Sequence, residues 1–395
     1  MTPRARWRVK NWSLPELDGS IPFWLYLVGF PLLLGPLVTL HELGHYMVGR
    51  WFGVKADAFS VGFGKELAGF TDRRGTRWKL SALPLGGYVQ FKGDMNPASV
   101  PDPAAAAAAS SAEREGSFHH AALRKRALIV FAGPAMNIIV ALAIYASFFM
   151  LIGKPVAPDA EAQLTIAGFA EESTAREAGL AVGDRIVAVD GEPMANFREL
   201  QDAVFLFPGR TLDFTVLRDG REQDFAVPVR WVEAEDRFGN KSKIGMVGVQ
   251  SGGQAMTFVA AGPLESVGLA GTHLVNITRM MVTGIAQLFT GERSVKELGG
   301  PVTIGKYAGE QLSLGPLAFA NFAALISLNL AFINLLPIPA LDGGHLAFYA
   351  AEAVRRKPLG ARSTEVAYKA GVAVVLALMI FVTFNDLAKL PIFGS

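Results

Sequence analysis

Cysteine is absent from this sequence of 395 residues, and charged residues are scarce. Without cysteine, the chain has no disulfide, no thiolate zinc site, no iron–sulfur cluster and no cysteine nucleophile. Charged side chains make up 18% of the residues, against about 25% in ordinary soluble domains. This shortage argues against a disordered chain and against a typical cytosolic enzyme. The net charge of +2 gives no basic field, so we expect no nucleic-acid partner.

Four apolar segments approach or reach the length of about 20 residues that crosses a bilayer. They lie at 21–40, 127–153, 317–338 and 367–388. The first follows a basic N-terminus, but no small-residue cleavage site comes after it. We therefore interpret it as a retained span that continues into residues 41–50. The sequence predicts a polytopic α-helical membrane protein with about four transmembrane helices.

Basic residues are concentrated in the loop between the first two spans and in the loop between the last two. The positive-inside rule places both loops in the cytoplasm, although the basic N-terminus favours the opposite orientation. We expect the two loops to dominate. The termini and the segment 154–316 are then on the outer side of the membrane.

Between the second and third spans, polar and apolar residues alternate, as at 185–189 and 211–217. Asp-Gly turns follow both stretches, so the pattern predicts a small α+β domain inserted between the spans. A moderately apolar stretch at about 255–315 predicts amphipathic helices at the membrane surface, with a fifth span as the alternative. The alanine-rich run 101–111 predicts a linker within the cytoplasmic loop.

Two histidines stand one helical turn apart near the inner end of the first span, in the motif HELGH at 41–45. On a helix, His41 and His45 face the same way, so both imidazoles can bind one Zn²⁺ while Glu42 reaches water beside the metal. Ionisable residues in a membrane segment are unfavourable by about 2.5–3.5 kcal/mol and usually mark function. The alternative is a helix end whose polar groups extend to the interface.

A catalytic zinc site normally has three protein ligands, so a third is expected from another span. Apart from Glu42, the apolar segments contain only two acids, Asp342 and Asp386. Asp342 lies between two prolines and two glycines, where the helix must break, and such a break at membrane depth needs protein or a cavity around it. Asp342 is therefore the candidate ligand. Asp386, near the outer end of its span, is interpreted as an interfacial cap.

The other four histidines carry weaker indications. His119 and His120 lie in a polar loop and are expected to form a solvated surface pair. His273 is expected on the polar face of the amphipathic stretch. His345 follows Asp342 by three residues, so it is a candidate hydrogen-bond partner of a ligand, with direct zinc binding as the alternative.

Five motifs stand in order along the chain: HELGH at 41–45, GFGKEL at 62–67, PLGGYVQFKGD at 84–94, RALIVFAGPAMNIIVA at 126–141 and NLLPIPALDGGH at 334–345. Together they resemble the site-2 protease family of intramembrane zinc metalloproteases, most closely its bacterial RseP-like group. The resemblance covers most of the chain. It implies zinc as the cofactor, Glu42 as the catalytic base, and three zinc ligands, His41, His45 and Asp342.

Within the inserted domain, residues 173–180, 183–186 and 190–191 resemble a PDZ domain of the bacterial protease type. The chain has one such copy, whereas the best-known members of the group carry two in tandem. A PDZ fold offers a groove and a sheet edge to an extended segment. The alternative is a spacer or size filter that binds nothing tightly.

These observations predict a series of segments. They are an N-terminal segment with the first transmembrane helix (1–56), a cytoplasmic loop with a membrane-associated β-hairpin (57–126), the second transmembrane helix (127–153), a PDZ-like periplasmic domain (158–232), a linker with amphipathic helices (233–316), and the third and fourth transmembrane helices (317–356 and 367–388).

Two features are implied by the resemblance to contact the substrate. One is the hairpin strand, which is expected to pair with an extended substrate through Gly87, Tyr88 and Val89. A hairpin that only covers the cytoplasmic face is the alternative. The other is a pair of amides, Asn329 and Asn334, implied to hold the substrate backbone, with interhelical hydrogen bonding as the alternative.

The predicted function is hydrolysis of peptide bonds within transmembrane segments, with Zn²⁺ acidifying water and Glu42 carrying its proton to the leaving amine. The resemblance implies the bacterial inner membrane, with the active site near the cytoplasmic side. It also implies single-pass membrane substrates, such as a pre-cleaved anti-sigma factor or a remnant signal peptide. The alternatives are a non-catalytic PDZ-containing membrane adaptor and, because of the broken helix, a transporter.

Overall fold

The computed structural model describes residues 21–93, 114–156, 159–235, 241–252, 257–291, 294–295, 298–357 and 359–388. The run 101–111, predicted as a linker, lies outside these residues. Within them the helices are α1 (Phe23–Trp51), α2 (Leu123–Leu151), α3 (Ala160–Leu164), α4 (Thr174–Glu177), α5 (Phe197–Phe205), α6 (Pro263–Thr290), α7 (Pro301–Ser313), α8 (Pro316–Leu335), α9 (Asp342–Arg355) and α10 (Ala361–Ala388).

The strands of the described residues form several small antiparallel sheets. They are β1 (Ala56–Thr71), β2 (Arg77–Phe91), β3 (Lys154–Val156), β4 (Ile166–Phe169), β5 (Arg185–Val189), β6 (Glu192–Pro193), β7 (Thr211–Arg218), β8 (Arg221–Pro228), β9 (Arg230–Glu235), β10 (Lys241–Met246), β11 (Val249–Ser251) and β12 (Thr257–Val259).

Four of the described helices, α1, α2, α8 and α10, are long and apolar enough to cross a membrane. These four helices are consistent with the predicted polytopic membrane protein. The first span continues to Trp51 as one helix of 29 residues, which extends about 43 Å at about 1.5 Å per residue. Trp24 and Trp51, near its two ends, are 58% and 82% exposed, and aromatic side chains favour the membrane interfaces.

Helix α2 is the centre of the bundle, because α1, α6, α8 and α9 all pack against it. Its approach to α1 is close. A Cβ atom added to Gly44 would lie 2.9 Å from the Cβ of Met136 and would also overlap the carbonyl of Ala132. Small residues at such crossings allow backbones to approach each other, which drives helix association in membranes.

The segment 317–356, predicted as one transmembrane unit, consists of two helices. Helix α8 ends at Leu335 and α9 begins at Asp342. Pro337 and Pro339 lie between them and have no N–H to continue a helix. The predicted break is therefore where the sequence places it, and it puts Asp342 in the first turn of a new helix.

Strands β1 and β2 form a long antiparallel pair in which Val89 lies opposite Phe59. Gly87, Tyr88 and Val89, which the sequence places on a hairpin strand, lie in the last part of β2. Phe59, Val89 and Phe91 pack with Tyr46 of α1 and Ile129 of α2 in a shared apolar cluster. The pair therefore packs against α1, which contains the HELGH motif, and against α2.

The inserted domain has a four-stranded antiparallel sheet in the order β6-β5-β7-β8. Its core includes Ile186, Leu200 and Phe214, each at most 1% exposed. The domain continues past its predicted end at 232, because β11 pairs with β4 and Val247 belongs to the same core. The α+β character agrees with the sequence, and the PDZ-like assignment stays a prediction.

The amphipathic stretch at 255–315 contains two helices, α6 and α7. Helix α6 packs on α2, and α7 packs on α1, where Gly29 and Gly309 approach each other closely. The carboxylate of Asp386 on α10 accepts hydrogen bonds from the N–H groups of Gly300 and Thr303 at 2.9–3.0 Å. Asp386 therefore caps the start of α7, whereas the sequence indicated an interfacial cap near the outer end of its own span.

Candidate metal centre

Three predicted ligands converge although Asp342 is almost 300 residues from the histidines in sequence. His41 Nε2 and His45 Nε2 are 3.1 Å apart, and they lie 3.1 and 3.6 Å from Asp342 Oδ2. The histidines stand one turn apart on α1, and Asp342 begins α9 after the Pro-containing break. Among the described residues, these three form the group of metal-binding side chains whose ligand atoms could share one ion.

The separations and the unsatisfied acceptor atoms of the three ligands are those expected around a bound metal ion. Tetrahedral ligands at about 2.0–2.1 Å from zinc are about 3.3 Å apart, and the three observed separations bracket that value. His45 Nδ1 lies 2.8 Å from the carbonyl oxygen of Ile129, which can only accept, so Nε2 of a neutral His45 carries a lone pair. Asp342 Oδ2 is buried and has no hydrogen-bond partner among the described residues. A cation satisfies both atoms.

Helix α2 forms the wall behind the two imidazoles. A Cβ atom added to Gly133 would lie 2.7 Å from His41 Nε2 and would overlap the ring of His45. Any larger residue at this position would occupy the space of the ligand atoms. His41 and His45 are only 7% and 8% exposed, so the site is shielded from bulk solvent.

Glu42 faces the same cavity as the ligands. Its Oε2 accepts a hydrogen bond from the main-chain N–H of Val89 at 3.2 Å. Because Glu42 is adjacent to one histidine and its carboxylate is held by β2, it lies beside the metal-binding group without belonging to it. Such a carboxylate can accept a proton from water at the centre.

The cavity has a volume of about 260 Å³, and it lies between α1, α2, the end of β2 and the α8–α9 break. Of the residues predicted to contact substrate, Val89 and Asn334 line it. Asn329, Gly87 and Tyr88 are not among its described lining residues. Polar and apolar side chains contribute together to the lining, as in sites that bind a peptide and do chemistry on it.

His345 also reaches the cavity, but it lies outside the metal-binding group. Its Nε2 is 2.6 Å from the hydroxyl of Tyr368, which connects α9 to α10. Of the remaining histidines, His273 packs edge-on against Tyr145 with ring centroids 4.6 Å apart. His120 is hydrogen-bonded to Ser117 within the loop.

Sequence reasoning missed the groups that surround the ligands. These are the carbonyl of Ile129, the space at Gly133, the amide of Asn137 and the hydroxyl of Tyr368. The motif RALIVFAGPAMNIIVA contains the first three, and their spacing of four residues would have placed them on one helix face. Only the packing of α2 against α1 shows what that face contacts.

The fold and the site define a polytopic membrane protein with a buried His-His-Asp centre and a neighbouring carboxylate. Residues 29–378 match the model of the family described as Peptidase family M50, the site-2 protease family, and the chain belongs to this family. It is therefore a zinc metallopeptidase, and zinc is its cofactor.

Several relatives align with this chain over nearly their whole length. A protein of Agrobacterium fabrum named as a candidate zinc metalloprotease is 42% identical over 92% of this chain and 96% of its own length. A similarly named protein of Rhizobium meliloti is 40% identical over 95% of this chain and 98% of its own length. The protein named metalloprotease MmpA of Caulobacter vibrioides is 33% identical over 94% of this chain and 98% of its own.

Proposed function

We propose that this metallopeptidase cleaves peptide bonds within the transmembrane segments of other membrane proteins. The observation that supports this most directly is the depth of the site. His41 lies ten residues before the exposed Trp51 on the same apolar helix, which is about 15 Å along its axis. A centre at that depth can reach peptide bonds inside a bilayer that soluble proteases cannot.

In this proposal His41 Nε2, His45 Nε2 and Asp342 Oδ2 hold zinc. When bound, zinc supplies a Lewis acid that polarises a carbonyl and acidifies water. All three side chains are mostly buried, which strengthens their attraction for a cation. Their positions on α1 and at the start of α9 also make the centre dependent on the α8–α9 break.

Glu42 is proposed as the general base and then the general acid. Its carboxylate accepts a proton from water as the water oxygen bonds to the scissile carbonyl carbon, and it delivers that proton to the amide nitrogen as the C–N bond breaks. The hydrogen bond from Val89 fixes Oε2. The second carboxylate oxygen is then available for the proton.

The substrate is proposed to bind as an added strand along the open edge of β2. The N–H of Val89 points to Glu42 rather than to β1, so this edge faces the site. A transmembrane helix must unwind before its peptide bonds are accessible, and pairing with a strand edge replaces the helical hydrogen bonds that are lost. Gly87 and Tyr88 extend this edge, and Asn334 offers an amide within the cavity.

Asn329 is assigned no substrate contact, because it lies outside the described cavity lining.

We also propose the bacterial inner membrane as the location, with the PDZ-like domain in the periplasm and the site near the cytoplasmic face. The basic residues Arg126, near the start of α2, and Arg355, in the last turn of α9, support this orientation. As substrates we propose membrane-anchored regulators trimmed outside by another protease, and remnant signal peptides.

The test uses a detergent-solubilised reporter with one transmembrane segment, and it compares the native chain with the Glu42→Gln variant. We expect cleavage to fall by about 10²- to 10⁴-fold while bound zinc stays equal in both chains. Loss of zinc from the variant would show that Glu42 is needed for metal binding, which contradicts its proposed role as the base alone. Equal cleavage by both chains would exclude Glu42 as the base, and no cleavage by the native chain would contradict the proposed action on transmembrane segments.

A further inference from the structure

Helix α2 has no acidic residue and no histidine within its apolar part, yet it contacts both histidines of the centre. Ile129, Gly133 and Asn137 follow one another at intervals of four residues, so they share one face of the helix. Ile129 offers its carbonyl to His45, and Gly133 leaves space for both rings. Asn137 offers an amide to His41.

The side chain of Asn137 is completely buried. Its Nδ2 lies 3.2 Å from His41 Nδ1, and its Oδ1 has no hydrogen-bond partner among the described residues. The main-chain carbonyl of Asn137 accepts a hydrogen bond from Ser327 Oγ at 2.9 Å. This second contact joins the Asn137 main chain to α8 and does not involve the side-chain amide that faces His41.

The protonation of the imidazole determines whether His41 Nδ1 requires the donor Nδ2 or the acceptor Oδ1 of Asn137. A neutral histidine that binds a metal through Nε2 carries its proton on Nδ1, and this N–H requires an acceptor. His45 has such an acceptor in the carbonyl of Ile129. For His41, the atom at Nδ1 is the donor Nδ2, while the acceptor Oδ1 of the same amide is unsatisfied. A half-turn of the amide group exchanges the two atoms and satisfies Oδ1 and the Nδ1–H with one hydrogen bond.

We propose that Asn137 is a positioning residue for the metal centre: its Oδ1 accepts from Nδ1–H of His41, which fixes the ring orientation and the tautomer that presents Nε2 to zinc. The inference rests on the proposed zinc site. Asn137 also borders the cavity, but it does not belong to the metal-binding group, and its proposed effect on zinc acts through His41. Outer hydrogen bonds of this kind typically contribute about 10- to 100-fold to metal affinity.

The alternative role for Asn137 is packing alone, as a polar link between α2 and α1. The two roles differ in what a substitution changes. A packing residue affects the stability of the bundle, and zinc affinity is unchanged once the chain is folded. A positioning residue affects zinc affinity in proportion to the acceptor that is lost, and another acceptor of the same shape restores it.

The experiment measures the zinc affinity of the full-length chain in detergent by competition with a chelator of known affinity. Asn137→Leu removes the acceptor and keeps the approximate shape, and we expect its zinc affinity to fall by about 10- to 100-fold. Asn137→Asp keeps an acceptor at Oδ1 and has no donor, so we expect it to retain the zinc affinity that Asn137→Leu loses. An amide that donates to His41 predicts the reverse for Asn137→Asp.

Ser327→Ala is the matched control, because it removes a buried hydrogen bond to the same residue without changing the side chain that faces His41. We expect a lower melting temperature and native zinc affinity. Native affinity in Asn137→Leu, or equal loss in the Leu and Asp variants, would overturn the inference. If the native chain binds no zinc, or His45→Ala binds it equally well, the proposed site itself fails.

Discussion

The main-chain N–H of Val89 donates a hydrogen bond to Oε2 of Glu42 at 3.2 Å. Val89 pairs opposite Phe59 of β1, yet its N–H points the other way, toward α1. The strand that is proposed to receive the substrate therefore also holds the proposed base. Hydrogen bonds to charged groups are stronger than neutral ones, so this contact orients the carboxylate as well as stabilising the hairpin.

Removing this donor tests the relationship. Val89→Pro eliminates the N–H, and since that N–H is directed at Glu42 on α1, proline is compatible with the strand. A hydrogen bond to a charged group contributes about 1.5–3 kcal/mol, so we expect kcat/KM for a transmembrane reporter to fall about 10- to 100-fold. Zinc content should not change.

The control for this variant is Val89→Ala, which shortens the side chain and keeps the N–H. We expect it to lose clearly less activity than Val89→Pro. Equal losses would mean that the side chain of Val89, rather than its N–H, matters at the site. Loss of zinc from Val89→Pro would show that the strand supports the ligands rather than Glu42.

Much of this centre could be predicted from local patterns. The spacing of His41 and His45 determines that both face one side of a helix, and the prolines before Asp342 determine where α8 must end. The partners of these side chains could not be predicted in the same way. Gly133 and Asn137 are ordinary residues of an apolar helix until α2 is packed against α1, and the register of that packing depends on the whole bundle.

The inserted domain shows the same limit. Alternation along β5 and β7 predicts strands, because each has one buried face. The sequence predicts the end of the domain at 232 and does not indicate β11, which has only three residues and is recognised by its pairing with β4. Short strands contribute little pattern of their own, so such a boundary is set by long-range pairing.

Acid should weaken the inserted domain through Asp184. Burial of this carboxyl opposes its ionisation, but hydrogen bonds from Arg218 and from the N–H of Ala181 outweigh burial and hold the pKa of Asp184 below its ordinary value. Because the folded pKa is lower than the unfolded one, the stabilisation is complete above about pH 4 and is lost as the pH falls through the folded pKa. Thermal unfolding of the full chain in detergent, followed between pH 7 and pH 3, measures this.

Asp184→Asn identifies the contribution of this one group. The amide cannot ionise, so the variant should unfold a few degrees lower than the native chain at pH 7, and the difference should shrink toward pH 3. A constant difference at every pH would show that Asp184 contributes by shape and hydrogen bonding alone, and not through its charge.

Asp386 should determine how firmly α7 is fixed to α10. Its carboxylate accepts from the N–H groups of Gly300 and Thr303 and, at 2.6 Å, from the hydroxyl of Thr303. Asp386→Ala leaves these donors without their acceptor, which should destabilise the chain by at least about 2 kcal/mol and speed hydrogen exchange at the start of α7. Asp386→Asn keeps one acceptor oxygen and should lose less. Native exchange rates in the alanine variant would contradict this role.

A single methyl group at Gly133 should disable the metal centre. In Gly133→Ala the new Cβ would lie 2.7 Å from His41 Nε2 and closer still to the ring of His45, so one or both imidazoles must move away from Asp342. We expect zinc affinity to fall at least about 100-fold, with cleavage lost in parallel. Gly268→Ala on α6 is the matched control, since nothing lies within 4 Å of its new Cβ, and it should bind zinc and cleave as the native chain does. If Gly133→Ala bound zinc normally, α2 could not lie against the two histidines, and the positioning role of Asn137 would be excluded as well.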